Sequence, residues 1–351
     1  MKTIISGTGR AVPNNVIPNS AFAQQTFLDE EGNPFAIDSS EIIEKFSSIT
    51  GIEERRYADK DINSSDLAAE AAKKAIANAG CDPEQIDYII VAHNFGDTQL
   101  NSSQSEPLPS LSSKVKTHLG IKNPNCVAYD ILFGCPGWIE GVVQAHAFIK
   151  ADMAQRCLVI GAETLSRVID PVDRDSMIFA DGAGATIIEK KEGEAGILSH
   201  KTVTYTANNE IDMLNYGQSY NPDNSTKFIK MKGRKVYEFA LSNVPQAMKA
   251  CFDASGEDIS ALKKVFIHQA NMKMDDAIIK RFYRLYRSAV PENVLPMNIQ
   301  KHGNSSVATV PTLYDQVLKN DLEGHQLQKG DVILFASVGA GMNVNAITYK
   351  V

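Results

Sequence analysis

Short, mostly apolar segments alternate with segments of helical periodicity along most of the chain. The strand candidates are rich in valine and isoleucine and apolar on both faces, as buried strands of α/β proteins are. They read KTIISGTG, DYIIVAHN, NCVAYDI, RCLVIGAE, ATIIEK, KVFIHQ and VILFAS. Helical segments such as SSDLAAEAAKKAIANAG, which ends at Gly80, lie between them. The pattern predicts an α/β protein with largely parallel sheets.

Two stretches repeat the same order of elements: a helix, a glycine-centred turn, and an apolar strand that ends in His93 or in His268. The stretches read AAKKAIANAGCDPEQIDYIIVAHNF and QAMKACFDASGEDISALKKVFIHQAN. Duplication of one unit would account for the length of 351 residues, although two ordinary helix–strand units could also coincide. We therefore predict two halves, residues 1–190 and 191–351.

Composition excludes several classes of function. A chain with 43% hydrophobic and 22% charged residues is globular, and a net charge of −7 gives no electrostatic reason to expect nucleic acid as a partner. No apolar run is long enough for a membrane span, and the N-terminus lacks the apolar core of a signal peptide. The five cysteines include no C-x-x-C pair, which argues against a disulfide framework and a zinc site. We expect a cytoplasmic protein without a metal.

One cysteine, Cys135, lies where the strand NCVAYDI gives way to a helical pattern, between Gly134 and Pro136. A free cysteine usually packs as a small hydrophobic residue. A proline at a helix start, however, fixes the first turn without loss of a hydrogen bond. A thiol in that position faces unpaired N–H groups and the positive end of the helix dipole, which favour a thiolate. The same N–H groups could stabilise an oxyanion, so Cys135 is a candidate nucleophile.

A nucleophilic cysteine needs a polar partner, and two candidates follow other strands or turns. His268 comes at the end of the apolar strand KVFIHQ, and the carboxyl ends of such strands are where open α/β sheets place ligands. Asn304 lies beside Gly303 at another turn into a helix. Taken singly, His268 could be an ordinary loop histidine and Asn304 an ordinary helix cap. Together with Cys135 they form a more specific pattern.

The sequence resembles the thiolase-fold condensing enzymes, and in particular the ketoacyl-ACP synthase III type. The matching segments occur in the same order over nearly the whole chain: TGIEERR, GCPGW, FADGAGATIIE, HQAN and HGNSSVAT. The resemblance implies an α/β thiolase-like fold in which two duplicated halves give a layered α/β/α/β/α arrangement. It also implies a homodimer.

The resemblance implies the roles of the site residues as well. Cys135 would receive an acyl group from acyl-CoA or acyl carrier protein as a thioester. His268 and Asn304 would hold the thioester carbonyl of a malonyl-type or β-ketoacyl substrate and stabilise its enolate. The carbanion would attack the acyl-Cys135 carbonyl, whose oxyanion would bind the N–H groups of Cys135 and Gly339. At the end of an apolar strand, a neutral His268 is favoured over a charged one.

The substrate or pantetheine channel is implied in the same way, and no cofactor is needed for acyl transfer. Asn271 in HQAN would lie along the pantetheine arm. The other residues that the resemblance places in or near the channel are Leu108, Phe179, Arg234 and Tyr237. Glu163, after LVIGA, could anchor a loop by hydrogen bonds or support the site from behind.

Departures from the family pattern bear on the substrate. Ile49 stands before Thr50 where the housekeeping enzymes have an arginine that binds the nucleotide of CoA, so a carrier protein is the expected donor. Leu108 stands where many relatives have a phenylalanine that reaches across the dimer, and a smaller side chain would leave a longer acyl pocket. Phe133 and Gly134 replace the usual small residues before the cysteine, and the tail lacks a common Trp-Gly.

These departures favour a ketosynthase of secondary metabolism, such as one that forms dialkylresorcinols from two carrier-bound chains. Two alternatives within enzymes stay open: a housekeeping synthase III that initiates fatty-acid synthesis, and an acyltransferase that passes the Cys135 thioester to oxygen or nitrogen. A non-catalytic partner is disfavoured by the intact set of Cys135, His268 and Asn304. A dinucleotide-binding enzyme is disfavoured because no glycine-rich fingerprint has the required spacing.

Overall fold

A computed structural model describes residues 1–102 and 104–351 of the chain. The helices are α1 (Ser39–Thr50), α2 (Ser64–Ala79), α3 (Leu111–His118), α4 (Gly137–Lys150), α5 (Gly233–Ser255), α6 (Met272–Leu285), α7 (Ile299–His302) and α8 (Thr309–Leu318). The strands are β1 (Lys2–Ala11), β2 (Asn15–Pro18), β3 (Glu54–Tyr57), β4 (Tyr88–Ala92), β5 (Asp97–Thr98), β6 (Ser105–Glu106), β7 (Val127–Ile131), β8 (Arg156–Thr164), β9 (Asp181–Lys191), β10 (Gly196–Thr204), β11 (Leu214–Gln218), β12 (Lys227–Met231), β13 (Leu262–Ile267), β14 (Val332–Gly339) and β15 (Asn343–Lys350).

Two large mixed sheets form the centre of the molecule. The first has the strand order β1-β9-β8-β4-β7 and the second β10-β15-β14-β13. Only β8, β4 and β7 in the first sheet, and β13 with β14 in the second, pair in parallel. The prediction of largely parallel sheets was therefore wrong, because β9 and β15 run antiparallel to both of their neighbours.

The two sheets follow the same plan. In the first sheet β1 pairs with β9, and β9 pairs with β8. In the second sheet β10 pairs with β15 in the same way, and β15 pairs with β14. The second sheet lacks only a counterpart of the edge strand β7. This correspondence, and the change of sheet between Lys191 and Gly196, supports the proposed division into residues 1–190 and 191–351, which remains a prediction.

Hydrophobic packing arranges the elements in five layers, as the resemblance implied. Helices α2 and α3 cover the outer face of the first sheet, and α5 and α6 cover the outer face of the second. Helices α4 and α8 lie between the sheets, where Trp138 packs against Phe335. Because α4 is buried between two sheets, its N-terminus is held in a fixed position, beside the end of β14.

Local signals explain where the helices begin and end. Helix α2 begins after Asn63, whose N–H donates to the carboxylate of Asp66 at 2.9 Å, and it ends before Gly80, which is in the left-handed region. Helix α6 is capped by Asn271, whose side chain accepts a hydrogen bond from the N–H of Met274 at 3.1 Å. Within the described residues, no helix has both the length and the apolar character needed to cross a membrane.

Candidate active site

Cys135 lies at the N-terminus of α4, in a loop that packs backbone against backbone with the end of β14. Gly134 has φ of +66°, a conformation that favours glycine. A Cβ at Gly134 would lie 2.6 Å from the nitrogen of Ala340, and one at Gly339 would lie 2.5 Å from the nitrogen of Cys135. Both positions therefore need glycine, and the backbone of Gly339 lies beside that of Cys135. This is the contact that an oxyanion site formed by these two residues requires.

Asn304 is held by the backbone of the segment before β9. Its N–H donates to the carbonyl of Ile178 at 2.9 Å, and its carbonyl accepts from Ala180 at 2.8 Å. Its side-chain Oδ1 accepts from the N–H of Ser306 at 2.7 Å. Because the oxygen is occupied in this way, the Nδ2 group is the part of the carboxamide that remains to donate to a substrate.

His268 follows the last residue of β13, and its N–H donates to the carbonyl of Ala336 on β14 at 2.9 Å. The side chain is buried, and among residues 1–102 and 104–351 its Nδ1 has no hydrogen-bond partner. Burial lowers the pKa of His268 to about 4, although the backbone of Ser306 partly opposes this shift. The imidazole is therefore neutral at pH 7, in line with its apolar surroundings.

Ser306 joins the three predicted residues, and the sequence analysis did not identify it. Its Oγ lies 3.2 Å from the Cys135 Sγ, its N–H donates to Asn304, and its backbone contacts the ring of His268. Its φ of +52° is uncommon for a residue other than glycine. The only sequence signal was its place two residues after Asn304.

The charge state of the thiol differs from the expectation of a stabilised thiolate. Cys135 keeps part of its surface exposed, yet burial of the thiol raises its pKa to about 12. The hydrogen bond from Ser306 lowers this pKa, and the negative charge of Glu163 raises it. Desolvation is the largest influence on this pKa, so the resting thiol is neutral and must lose a proton when it is acylated.

A cleft of about 1140 Å³ opens between α1, the start of α5 and the start of α6. Its lining includes three of the predicted channel residues, Asn271, Arg234 and Tyr237. Ile49, at the end of α1, also lines it. The lining is mixed, with apolar side chains such as Phe46 on α1 and several charged ones from both walls.

Two predicted channel residues lie outside this cleft. Leu108 precedes α3, and 85% of its surface is exposed in the single chain. Phe179 is buried and pairs with Asn304 through an isolated β-bridge, so its backbone positions the asparagine. Across residues 1–102 and 104–351, no three histidine, cysteine, aspartate or glutamate side chains are grouped to hold a metal ion.

Comparison with known proteins identifies relatives over the full length. Family profiles for the 3-oxoacyl-[acyl-carrier-protein] synthase III and for its C-terminal region match residues 129–206 and 252–351. The beta-ketoacyl-[acyl-carrier-protein] synthase III of Erythrobacter litoralis is 30% identical over 99% of this chain and 98% of its own. That of Staphylococcus aureus is 31% identical over 100% and 99%.

A solved structure from the same family has the same fold as this chain. The crystal structure of 3-oxoacyl-[acyl-carrier-protein] synthase III from Aquifex aeolicus superposes with a TM-score of 0.81 at 29% identity, and it covers 99% of this chain and 100% of its own. This likeness confirms the thiolase-like α/β fold. The chain therefore belongs to the 3-oxoacyl-[acyl-carrier-protein] synthase III family, whose members are acyltransferases that act as ketosynthases by Claisen condensation.

Proposed function

We propose that Cys135 carries the acyl group as a thioester and that His268 and Asn304 stabilise the carbanion of the second substrate. One observation carries this proposal: Ser306 contacts all three side chains or their backbones, so they converge on one point at the mouth of α4. A neutral imidazole and a carboxamide Nδ2 are hydrogen-bond donors suited to an enolate oxygen.

The first half-reaction transfers the acyl group. The Cys135 sulfur attacks the thioester carbonyl of the donor, and the negative oxygen that forms would bind the N–H groups of Cys135 and Gly339. The pantetheine thiol then leaves. In the second half-reaction, His268 and Asn304 would hold the carbonyl of the extender thioester while its α-carbon becomes a carbanion, by loss of carbon dioxide from a malonyl-type substrate or of a proton from a β-ketoacyl one. The carbanion attacks the acyl-Cys135 carbonyl, and the carbon–sulfur bond to Cys135 breaks, which returns the free cysteine.

A carrier protein is the donor that the cleft favours. Ile49 lines the cleft and is 51% exposed, so position 49 itself supplies no guanidinium for the phosphates of a nucleotide. Lys232, Arg234 and Lys235, at the start of α5, line the cleft together with acidic side chains such as Asp29 and Asp175. These cations suit the single phosphate of a phosphopantetheine arm and an acidic carrier.

We propose further that the second substrate is a β-ketoacyl thioester, so that two long chains join as in dialkylresorcinol formation. The open wall at Ile49 and the small, exposed Leu108 support a site that admits longer chains. A second candidate is the initiation of fatty-acid synthesis, which the names of the relatives from Erythrobacter litoralis and Staphylococcus aureus favour.

The test is intact-mass spectrometry of the protein after incubation with matched acyl-CoA and acyl-carrier-protein donors of several chain lengths. We expect one acyl group per chain, faster loading from the carrier protein, and none in Cys135→Ala. Cys81→Ala is the matched control, because Cys81 is also partly exposed but was not placed in the site. Loading of Cys135→Ala at the rate of the unaltered protein would contradict the assignment of the nucleophile.

The extender is tested in a second step with the acylated protein. Malonyl and β-ketoacyl carrier proteins are supplied separately, and carbon dioxide and the products are measured. Product formation from the β-ketoacyl substrate supports the resorcinol route, and product from the malonyl substrate alone supports fatty-acid initiation. His268→Ala should abolish carbon–carbon bond formation in either case, whereas an acyltransferase to oxygen or nitrogen would not need the imidazole to stabilise a carbanion.

We also propose that the protein is a cytoplasmic homodimer. All five cysteines are free, which suits a reducing compartment. Leu108 is an apolar side chain exposed beside the first sheet, and a partner subunit would bury it. Sedimentation of the purified protein tests the dimer.

A further inference from the structure

The last strand carries two buried asparagines in the part of the chain that lacks the family's common Trp-Gly, and the reaction described above gives neither a role. Asn343 is the first residue of β15 and Asn345 is the third. Both are buried, and because side chains alternate along a strand they lie on the same face. In the ladder between β14 and β15, Asn343 is paired with Gly339. It therefore lies beside the turn that carries one of the two proposed oxyanion donors.

The side chain of Asn343 bridges the two turns that meet at the nucleophile. One turn is the nucleophile loop, residues 133–136, and the other is the glycine turn, residues 339–342. Asn343 Nδ2 donates to the carbonyl of Phe133 at 3.3 Å and to the carbonyl of Ala340 at 3.0 Å. The first carbonyl lies two residues before Cys135, and the second belongs to the residue after Gly339. One carboxamide therefore joins the backbones on which both oxyanion donors lie.

The orientation of this carboxamide is defined by its partners. A carbonyl oxygen only accepts hydrogen bonds, so the NH₂ group of Asn343 must be the part that faces the two turns. The Oδ1 atom accepts a hydrogen bond from the hydroxyl of Thr204 on β10 at 2.6 Å. Both ends of the carboxamide are thus engaged, and its plane is fixed by three neighbouring segments.

Asn345 extends the same arrangement to the other side of the cysteine. Its Nδ2 donates to the carbonyl of Pro136 at 3.2 Å. The nucleophile loop is therefore bound to β15 both before and after Cys135. Because β15 belongs to the second sheet and the loop follows β7 of the first, these bonds also connect the two sheets.

The glycine turn needs such support, because its backbone is strained. Gly341 has φ of +75° and Met342 has φ of +45°, a region that a methionine rarely adopts. A conformation of this kind persists only where the surrounding structure holds it. Among residues 1–102 and 104–351, no backbone hydrogen bond joins the glycine turn to the nucleophile loop. The bonds from Asn343 provide a connection that the backbone does not.

We infer that Asn343 is a positioning residue that holds the N–H groups of Cys135 and Gly339 in one fixed arrangement, so that both reach the same oxyanion. Its partners are the carbonyls of Phe133 and Ala340, so it acts through the backbone and takes no part in a bond that forms or breaks. Donors that are already oriented need no reorganisation when charge develops on the oxygen. Their relative position therefore affects the rate of the reaction more than the binding of the donor.

This inference rests on the proposed acyl loading of Cys135, and two reactions of the same sulfur separate the two ideas. Loading from a thioester builds a negative oxygen, whereas alkylation by iodoacetamide displaces iodide from carbon and builds none. Loading is followed by intact mass at a series of donor concentrations, and alkylation of Cys135 is followed by peptide mapping. If the unaltered protein takes up no acyl group, the proposed function fails and the inference fails with it. If the unaltered protein loads, differences between variants test the inference alone.

Asn343→Ala should lower the maximal rate of loading by about 10-fold to 10²-fold, since a misplacement of about 1 Å costs up to about 10²-fold. The donor concentration at half-maximal rate should stay within about twofold, because Asn343 is not among the residues that line the cleft. Alkylation of Cys135 should stay within about threefold, because it needs no oxyanion donor. Thermal unfolding shows whether the variant is folded.

A second variant leaves the asparagine in place. Thr204→Val removes the hydroxyl that holds Asn343 Oδ1, and Thr204 is exposed, so little packing is lost. It should slow loading in the same direction as Asn343→Ala but by a smaller factor. The double variant should be no slower than Asn343→Ala alone, because Thr204 acts through Asn343.

The matched control is Asn123→Ala. Asn123 Nδ2 also donates to a backbone carbonyl, that of Glu84 at 3.0 Å, and its Oδ1 accepts from the N–H of Asn125 at 2.9 Å. It lies before β7, at the opposite end of that strand from the nucleophile loop. This variant should load and be alkylated at the rates of the unaltered protein.

Three results would overturn the inference: loading of folded Asn343→Ala as fast as Asn123→Ala, alkylation that falls as much as loading, or effects that multiply in the double variant. The second result would mean that Asn343 supports the fold of the loop and not the arrangement of the donors. If Asn343→Ala does not fold, Thr204→Val decides, and loading at the rate of the unaltered protein would then contradict the role of Asn343.

Discussion

Gly339→Ala is the most direct test of the contact between the two halves of the site. Gly339 has φ of −169°, which any residue adopts, so the substitution brings no backbone strain of its own. Its effect is steric: the new Cβ would lie 2.5 Å from the nitrogen of Cys135 and 2.9 Å from its Cβ. Ordinary contact begins at 3.4 Å, so the nucleophile loop must move by about 0.9 Å (3.4 − 2.5).

The size of the effect follows from that displacement. A shift of about 1 Å in a reacting group costs roughly 10²-fold in rate, and loss of one oxyanion donor costs about 10²–10³-fold. We therefore expect the rate of acyl loading of Cys135 to fall by about 10²–10³-fold in Gly339→Ala. The assay is a time course of intact mass at saturating donor, combined with thermal unfolding to show that the variant is folded.

The matched control is Gly182→Ala in β9. A Cβ there would meet no atom closer than 3.6 Å, the carbonyl of Ala11 and the side chain of Ser305 being nearest. This variant should load within about twofold of the unaltered protein. If Gly339→Ala is folded and loads as fast as Gly182→Ala, then the backbone contact between Gly339 and Cys135 does not matter for the chemistry, and the oxyanion assignment is refuted.

Three further predictions concern charge. The pKa of His268 is lowered to about 4, so the unfolded chain binds a proton at this residue before the folded chain does as the pH falls. The unaltered protein therefore loses unfolding free energy between pH 7 and pH 5. His268→Asn should reduce that loss by about 2 kcal/mol, measured by urea unfolding. Burial raises the pKa of Asp275 well above its usual value, so the folded chain keeps that proton after the unfolded chain has lost it. The unfolding free energy of Asp275→Asn relative to the unaltered protein should therefore grow by about 1.4 kcal/mol per pH unit above pH 4. The same dependence of unfolding free energy on pH in both proteins would contradict this. Ile49→Arg should raise kcat/KM for acyl-CoA about tenfold without raising that for acyl carrier protein, as one added phosphate contact on a partly exposed wall predicts.

Much of the first sheet was predictable because its strands are continuous apolar runs. The segments at β4, β7 and β8 were identified within a few residues of their observed ends. The strands of the second sheet were harder to predict. Strand β15 contains Asn343, Asn345 and Thr348, yet all three are buried. A polar segment with buried partners gives no apolar signal, so β15, and the half-exposed β10 beside it, were missed, and the predicted sheets appeared more parallel than they are.

The same limit applies to the site. Turns between elements can be predicted from sequence, and they indicated Cys135, His268 and Asn304. Ser306 was missed because a serine two residues after an asparagine is common in turns, and its importance comes from a positive φ and from close packing of the turn on Gly161. Such contacts link residues far apart in the chain, and no local pattern encodes them.

The absence of charge on the site residues is a second argument for the proposed condensation chemistry. At pH 7 the imidazole of His268, the carboxamide of Asn304 and the thiol of Cys135 are all neutral. A fixed cation would bind an anionic group already in the ground state, whereas oriented neutral donors gain most when charge develops on an oxygen. An enolate and a tetrahedral oxyanion carry such charge only during the reaction. In the roles proposed for them, these neutral donors would favour the transition states of condensation over the substrates that precede them.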